Sequence, residues 1–128
     1  KAVLEYERFM YKFEFHQVTY VLDSYIRKAS KYMAKAKAEA DKADDNELRR
    51  KWLINVFHMV KTAAVLLHPI APDGTKMVQD YMKLDDSMWN WDYIFDPMSS
   101  NILKGETNHE IKFLEPRVDF FKRHESQF

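Results

Sequence analysis

Five basic side chains, Arg27, Lys28, Lys31, Lys35 and Lys37, fall within eleven residues that carry no carboxylate, and an acidic run follows from Asp41. Such a cluster creates a local positive field that attracts phosphates, even in a chain with 20 basic and 20 acidic residues. Tyr25, Lys28, Tyr32 and Lys35 take neighbouring positions on a helical surface. In that arrangement rings stack on unpaired bases while ammonium groups neutralise the backbone. A plainer use competes with it. The charges can form a solvated helix face, and both tyrosines also belong to an apolar stripe. Core packing is the expectation for Tyr25; for Tyr32, near the end of the stripe, both roles stay open.

Other chemistry finds less support. His16, His58, His68, His109 and His124 include no pair at the i, i+4 spacing of a helical metal site, so no metal site is expected. His58 shares a helix with Asn55, where polar side chains at an interface are usually satisfied packing residues. Asp85, Asp86, Asp92 and Asp96 have no neighbouring base, nucleophile or phosphate loop, and read as turn and capping residues. No catalytic residue is named. Trp52, Trp89 and Trp91 are expected to be core or cover residues, since large rings supply much of a small domain's buried area.

The elements that must position these groups are helical. Residues 1–40 contain neither Pro nor Gly, and apolar side chains recur at Leu4, Tyr11, Phe15, Val18, Leu22, Tyr25, Ala29, Tyr32 and Ala36. One helix over this span would be about 50 Å long at roughly 1.5 Å per residue, so a kink is expected near Ser30. The polar run from Asp41 to Glu47 places carboxylates where the N-terminus of a second helix favours them. That helix extends from Leu48 to Leu67 and ends at Pro69. Asp73-Gly74-Thr75 then supplies turn and capping residues for a short third helix around Lys76 to Met82. Beyond Leu84 an aromatic-rich connector with Trp89, Trp91, Tyr93, Ile94 and Phe95 is expected to cover the helices. Residues 110–118 have an extended, partly alternating character, and Val118 to Arg123 reads as one last helical turn.

Composition agrees with an all-α fold. Two glycines in 128 residues is low against an average of about 7%, which removes support for tight-turn β architectures and glycine-rich phosphate loops. Hydrophobic residues at 46% supply a core for one domain, and the absence of cysteine excludes disulfides, thiolate metal sites and cysteine nucleophiles. No apolar run approaches the roughly 20 residues that cross a bilayer, and the N-terminus shows no signal-peptide pattern. A cytoplasmic protein without membrane partners is expected. The chain opens inside the apolar pattern at Lys1-Ala2-Val3-Leu4, as a fragment of a longer protein would.

Several short segments occur in a telling order: Tyr25-Ile26, Ser30-Lys31-Tyr32, Ile54-Asn55-Val56-Phe57, and Leu66-Leu67-His68-Pro69-Ile70-Ala71-Pro72. Trp91-Asp92, then Gly105, His109, Ile111 and Leu114-Glu115-Pro116-Arg117-Val118, complete the series. Over nearly the whole chain this order resembles the C-terminal anticodon-binding domain of class I aminoacyl-tRNA synthetases, most closely that of methionyl-tRNA synthetase. The resemblance implies an antiparallel helix bundle in residues 1–84 and a connector and tail in residues 85–128, together a single domain of a longer synthetase. It implies tRNA as partner, with Tyr32 stacking on a base and Lys28, Lys31 and Lys35 contacting phosphates. The matching family segment is an Ala-Pro-Trp turn; Ser30-Lys31-Tyr32 keeps a π face there. Phe113, Leu114, Pro116 and Arg117 would contact the catalytic domain of the same chain. That domain would use ATP as a methionine–tRNA ligase, whereas the present piece holds no cofactor and does no chemistry. The alternatives are the equivalent domain of a valyl-, isoleucyl-, leucyl- or cysteinyl-tRNA synthetase, or a helical interaction or scaffold domain of a divergent synthetase-like protein.

Overall fold

A computed structural model describes residues 1–84 and 86–95, and all regular structure there is helical. The order is α1 (Ala2–Tyr11), α2 (Phe15–Ala43), α3 (Asn46–Leu67) and α4 (Pro72–Met82), followed by two short 3₁₀ turns, η1 (Asp86–Trp89) and η2 (Trp91–Tyr93). The tail expected to be extended, its last helical turn, and Phe113, Leu114, Pro116 and Arg117 lie outside the described residues.

The long first helix is two helices, and the break is not near Ser30. The chain reverses at Lys12-Phe13-Glu14, while α2 runs through Ser30 without interruption for 29 residues. Phe13 N–H donates to Met10 C=O at 3.1 Å and Glu14 N–H donates to Phe9 C=O at 2.9 Å. These are the two crossed bonds of a Schellman cap, which needs a left-handed residue between them, and Phe13 supplies it with φ 57°. The reversal also expels residues counted in the apolar stripe. Tyr11 is 87% exposed at the hairpin tip, and Leu4 and Phe15 are exposed as well.

The same device ends α4. Lys83, with φ 53°, sits between the bonds Lys83 N–H to Asp80 C=O (3.2 Å) and Leu84 N–H to Gln79 C=O (3.1 Å). A left-handed backbone costs an L-residue about 1–2 kcal/mol, part of which glycine returns through its freer unfolded chain. Lys83→Gly should therefore raise the unfolding free energy by about 0.5–1 kcal/mol in a urea titration. A loss of stability would show that the exposed lysine side chain contributes to the fold.

Helix α3 starts as its sequence requires. The Asp45 carboxylate accepts the Glu47 and Leu48 N–H groups at 2.9 and 3.2 Å, and Glu47 lies in the first turn. The upstream half of the acidic run, however, belongs to the last turn of α2, whose C-cap is Asp44 in the left-handed region. Helix α4 begins four residues before Lys76, because Pro72 occupies the first turn, where a missing N–H is no loss. Gly74 and Thr75 are thus helical and buried rather than part of the turn.

The core sits where α1, the first half of α2 and the end of α3 meet. Val3 and Tyr6 from α1, Val18 and Leu22 from α2, and Val65 and Leu66 from α3 pack with Ile94. The aromatic connector covers the helices only in part: Ile94 is buried and Trp89 half-buried, whereas Trp91 and Phe95 are exposed. Trp89 packs on this cluster and stands edge-on to His68 at 5.8 Å, while Trp91 lies 5.9 Å from the Tyr6 ring. Burial raises the Tyr6 phenol above its ordinary pKa. Buried Gln79 fastens η1 to α4, donating to Leu84 C=O at 3.3 Å and to the Asp86 carboxylate at 3.0 Å.

Candidate nucleic-acid interface

Helices α2 and α3 run antiparallel, and polar contacts set their register. Asn55 Nδ2 donates to Tyr32 Oη at 2.9 Å, and Arg49 reaches Asp41 at 3.7 Å. Residue numbers fall along α3 as they rise along α2. Between these two contacts Trp52 Nε1 donates to Met33 C=O at 3.2 Å, so Trp52 is a half-buried seam residue.

Tyr25 is half-buried but lies outside the core cluster, so the expected core packing is met only in part. Desolvation raises its phenol above the ordinary pKa, and the Thr62 side chain works in the opposite direction. Tyr32 is neither sealed in nor free. It is half-buried in the α2–α3 seam, with its hydroxyl tied to an exposed Asn55 on the neighbouring helix. Asn55, expected to be a satisfied packing residue, is exposed and bonded to Tyr32. Only the partner helix gives it this position beside Tyr32.

Lys28, Lys31 and Lys35 are all exposed, and at about 100° per residue they occupy an arc of about 60° on α2 next to Tyr32. The full cluster of five is less uniform than its composition suggests. Carboxylates one turn away fold back onto it: Asp23 on Arg27 at 2.7 Å, Asp41 on Lys37 at 2.7 Å and Glu39 on Lys35 at 3.8 Å. The Lys37 hydrogen bond holds the Asp41 carboxyl below its ordinary pKa, with Arg49 adding to the effect. Lys28 and Lys31 form no ion pair among the described residues, which leaves their charge to act on solvent or a ligand. Lys35 is weakly compensated, since an exposed pair at this distance is worth little.

Lys28 also borders an open cleft of about 390 Å³ between the start of α1 and α2, lined by Lys1, Glu5, Tyr20, Ser24 and Tyr25. Another face of α2 borders an apolar groove of about 240 Å³ formed with α3 and α4. Ile26, Met33, Val56, Val60, Leu67 and Val78 line it, and Ile26, Met33 and Val60 are exposed there. Helix α3 carries apolar residues on more than one face, and the face that borders this groove is open.

Among the described residues no group of three or more His, Asp or Glu side chains is placed to hold a metal ion, and no helix is long and apolar enough to cross a membrane. No model of a known protein family matches the chain, and no curated protein or solved structure matches it.

Proposed function

We propose that this chain is a tRNA anticodon-binding domain of the methionyl-tRNA synthetase type, which positions tRNA for a catalytic domain elsewhere in the same protein. The observation that carries the reading is the placement of exposed Lys28, Lys31 and Lys35 along one arc of α2 beside a tyrosine whose ring lies in the α2–α3 seam. Ammonium groups there neutralise phosphates while the ring offers a face to an unpaired base. The parent enzyme would be a methionine–tRNA ligase using ATP; no catalytic role falls to the described residues. Phe113, Leu114, Pro116 and Arg117 would hold this domain against the catalytic body.

Tyr32→Ala should weaken binding of a methionine-accepting tRNA by about 1–3 kcal/mol, and Tyr32→Phe, which keeps the ring, should lose much less. Filter binding at fixed salt reads both. Equal affinity of the alanine variant and the unsubstituted chain would remove Tyr32 from the interface.

The apolar groove favours a second reading, a helical interaction or scaffold domain, because Ile26, Met33 and Val60 present unpartnered apolar surface among the described residues. Salt separates the two. Affinity for tRNA through phosphates falls steeply as salt rises, whereas docking through the groove does not.

A further inference from the structure

We infer that the apex of the α1–α2 hairpin is a membrane-contact site, which seats its aromatic rings in the headgroup region of an anionic lipid bilayer. This goes beyond the tRNA reading and does not depend on it. Tyr11 is 87%, Phe13 78% and Phe15 58% exposed, and among the described residues no other stretch so short turns three large rings to solvent. Two exposed cations flank them, Lys12 and Arg8, the latter lying over the Phe9 ring at 4.9 Å. Neither forms an ion pair among the described residues. Such a tip combines the two contributions that hold a protein on an anionic lipid surface, apolar area taken out of water and attraction to the headgroups. Glu14, half-buried, is the one carboxylate between Arg8 and His16, and it keeps the contact at headgroup depth. No membrane-crossing helix is required for a contact of this kind.

Geometry favours a bilayer over a nucleic acid or a protein pocket. Rings that stack on successive bases lie parallel to them, whereas Phe13 and Phe15 stand at 71° to each other with centroids 6.3 Å apart. The three rings come from the end of α1, the turn and the start of α2, so they spread around a convex tip. One pocket does not reach all of them, while a lipid interface takes up every ring below its plane and leaves the tyrosine hydroxyl at the polar level. The backbone points the same way. Phe13 holds φ 57°, where glycine would be less strained, and its ring is absent from the core cluster. Strain of this kind gathers at binding sites, and here it presents a ring that the fold itself does not use.

The test sediments the full 128-residue chain with vesicles of phosphatidylcholine alone and with vesicles of phosphatidylcholine and phosphatidylserine in equal parts. Binding is expected to the second kind, weakening as salt rises. Phe13→Gly should lower partitioning by about 10-fold without lowering the melting temperature, since glycine suits the left-handed turn. Tyr11→Ala, at a position that packs on nothing in the core, should lower it as well. Lys12→Ala should lower it by about fivefold, on the anionic vesicles only. If the chain does not sediment with the anionic vesicles, or all three variants sediment as well as the unsubstituted chain, the inference fails. Vesicle binding that survives these changes but is lost when Lys28, Lys31 and Lys35 become alanine places the lipid contact on the α2 arc and overturns it too. So does a result in which the apex variants weaken tRNA binding and leave vesicle binding intact. Vesicle binding through the apex with no tRNA binding at low salt would remove the tRNA reading alone.

Discussion

A chain carrying Leu66→Ala unfolds with about 2–5 kcal/mol less free energy than the original, the usual range for deleting a buried leucine. Leu66 is fully buried in the cluster that joins α1, α2, α3 and Ile94, so the cavity opens where three helices and the connector meet. Collapse around the missing atoms would have to move elements that hold one another in place. For a small domain whose whole stability is about 5–15 kcal/mol, the loss leaves a marginal fold. Urea titration followed by tryptophan fluorescence checks it, since Trp89 and Trp91 lie against this region. A loss below about 1 kcal/mol would mean that the connector does not close over this core as described.

Replacing Lys28, Lys31 and Lys35 together with alanine is expected to lower tRNA affinity by about two to three orders of magnitude at low salt. The slope of log affinity against log salt should fall by about 2, at about 0.7 per single-stranded phosphate contact. All three side chains are exposed and alanine is the better helix former, so the melting profile should not suffer. Arg27→Ala and Lys37→Ala serve as the contrast. Each already faces a carboxylate at 2.7 Å, so its removal should disturb the slope less than removal of Lys28 or Lys31. Equal effects at all five positions would show that total charge, not the arc, governs binding.

How far the site was legible follows from the same residues. The five cations stand in plain view as a block, but their effective charge depends on Asp23, Glu39 and Asp41, one turn outside it. The i, i+4 spacing of those carboxylates is present in the sequence and would have exposed the pairing. Tyr32 is a different case. Its position on α2 allowed both core and surface, and what settles half-burial is the neighbouring helix, through Asn55.

Local chemistry by itself determined that the described residues are helical, that a helix opens in the acidic run before Leu48, and that Pro69 follows its end, since caps and prolines act through the backbone of their own turn. It did not disclose the α1–α2 reversal, because the left-handed C-cap position that glycine ordinarily marks is held by Phe13, as Asp44 and Lys83 hold it after α2 and α4. A phenylalanine adopts that conformation only when the packing of Val3 and Tyr6 against Val18 and Leu22 outweighs its strain. That balance is a property of two helices together, as is the seam that brings Asn55 to Tyr32. Tertiary structure decided both, because contacts between segments distant along the chain have no counterpart in the preferences of either segment alone.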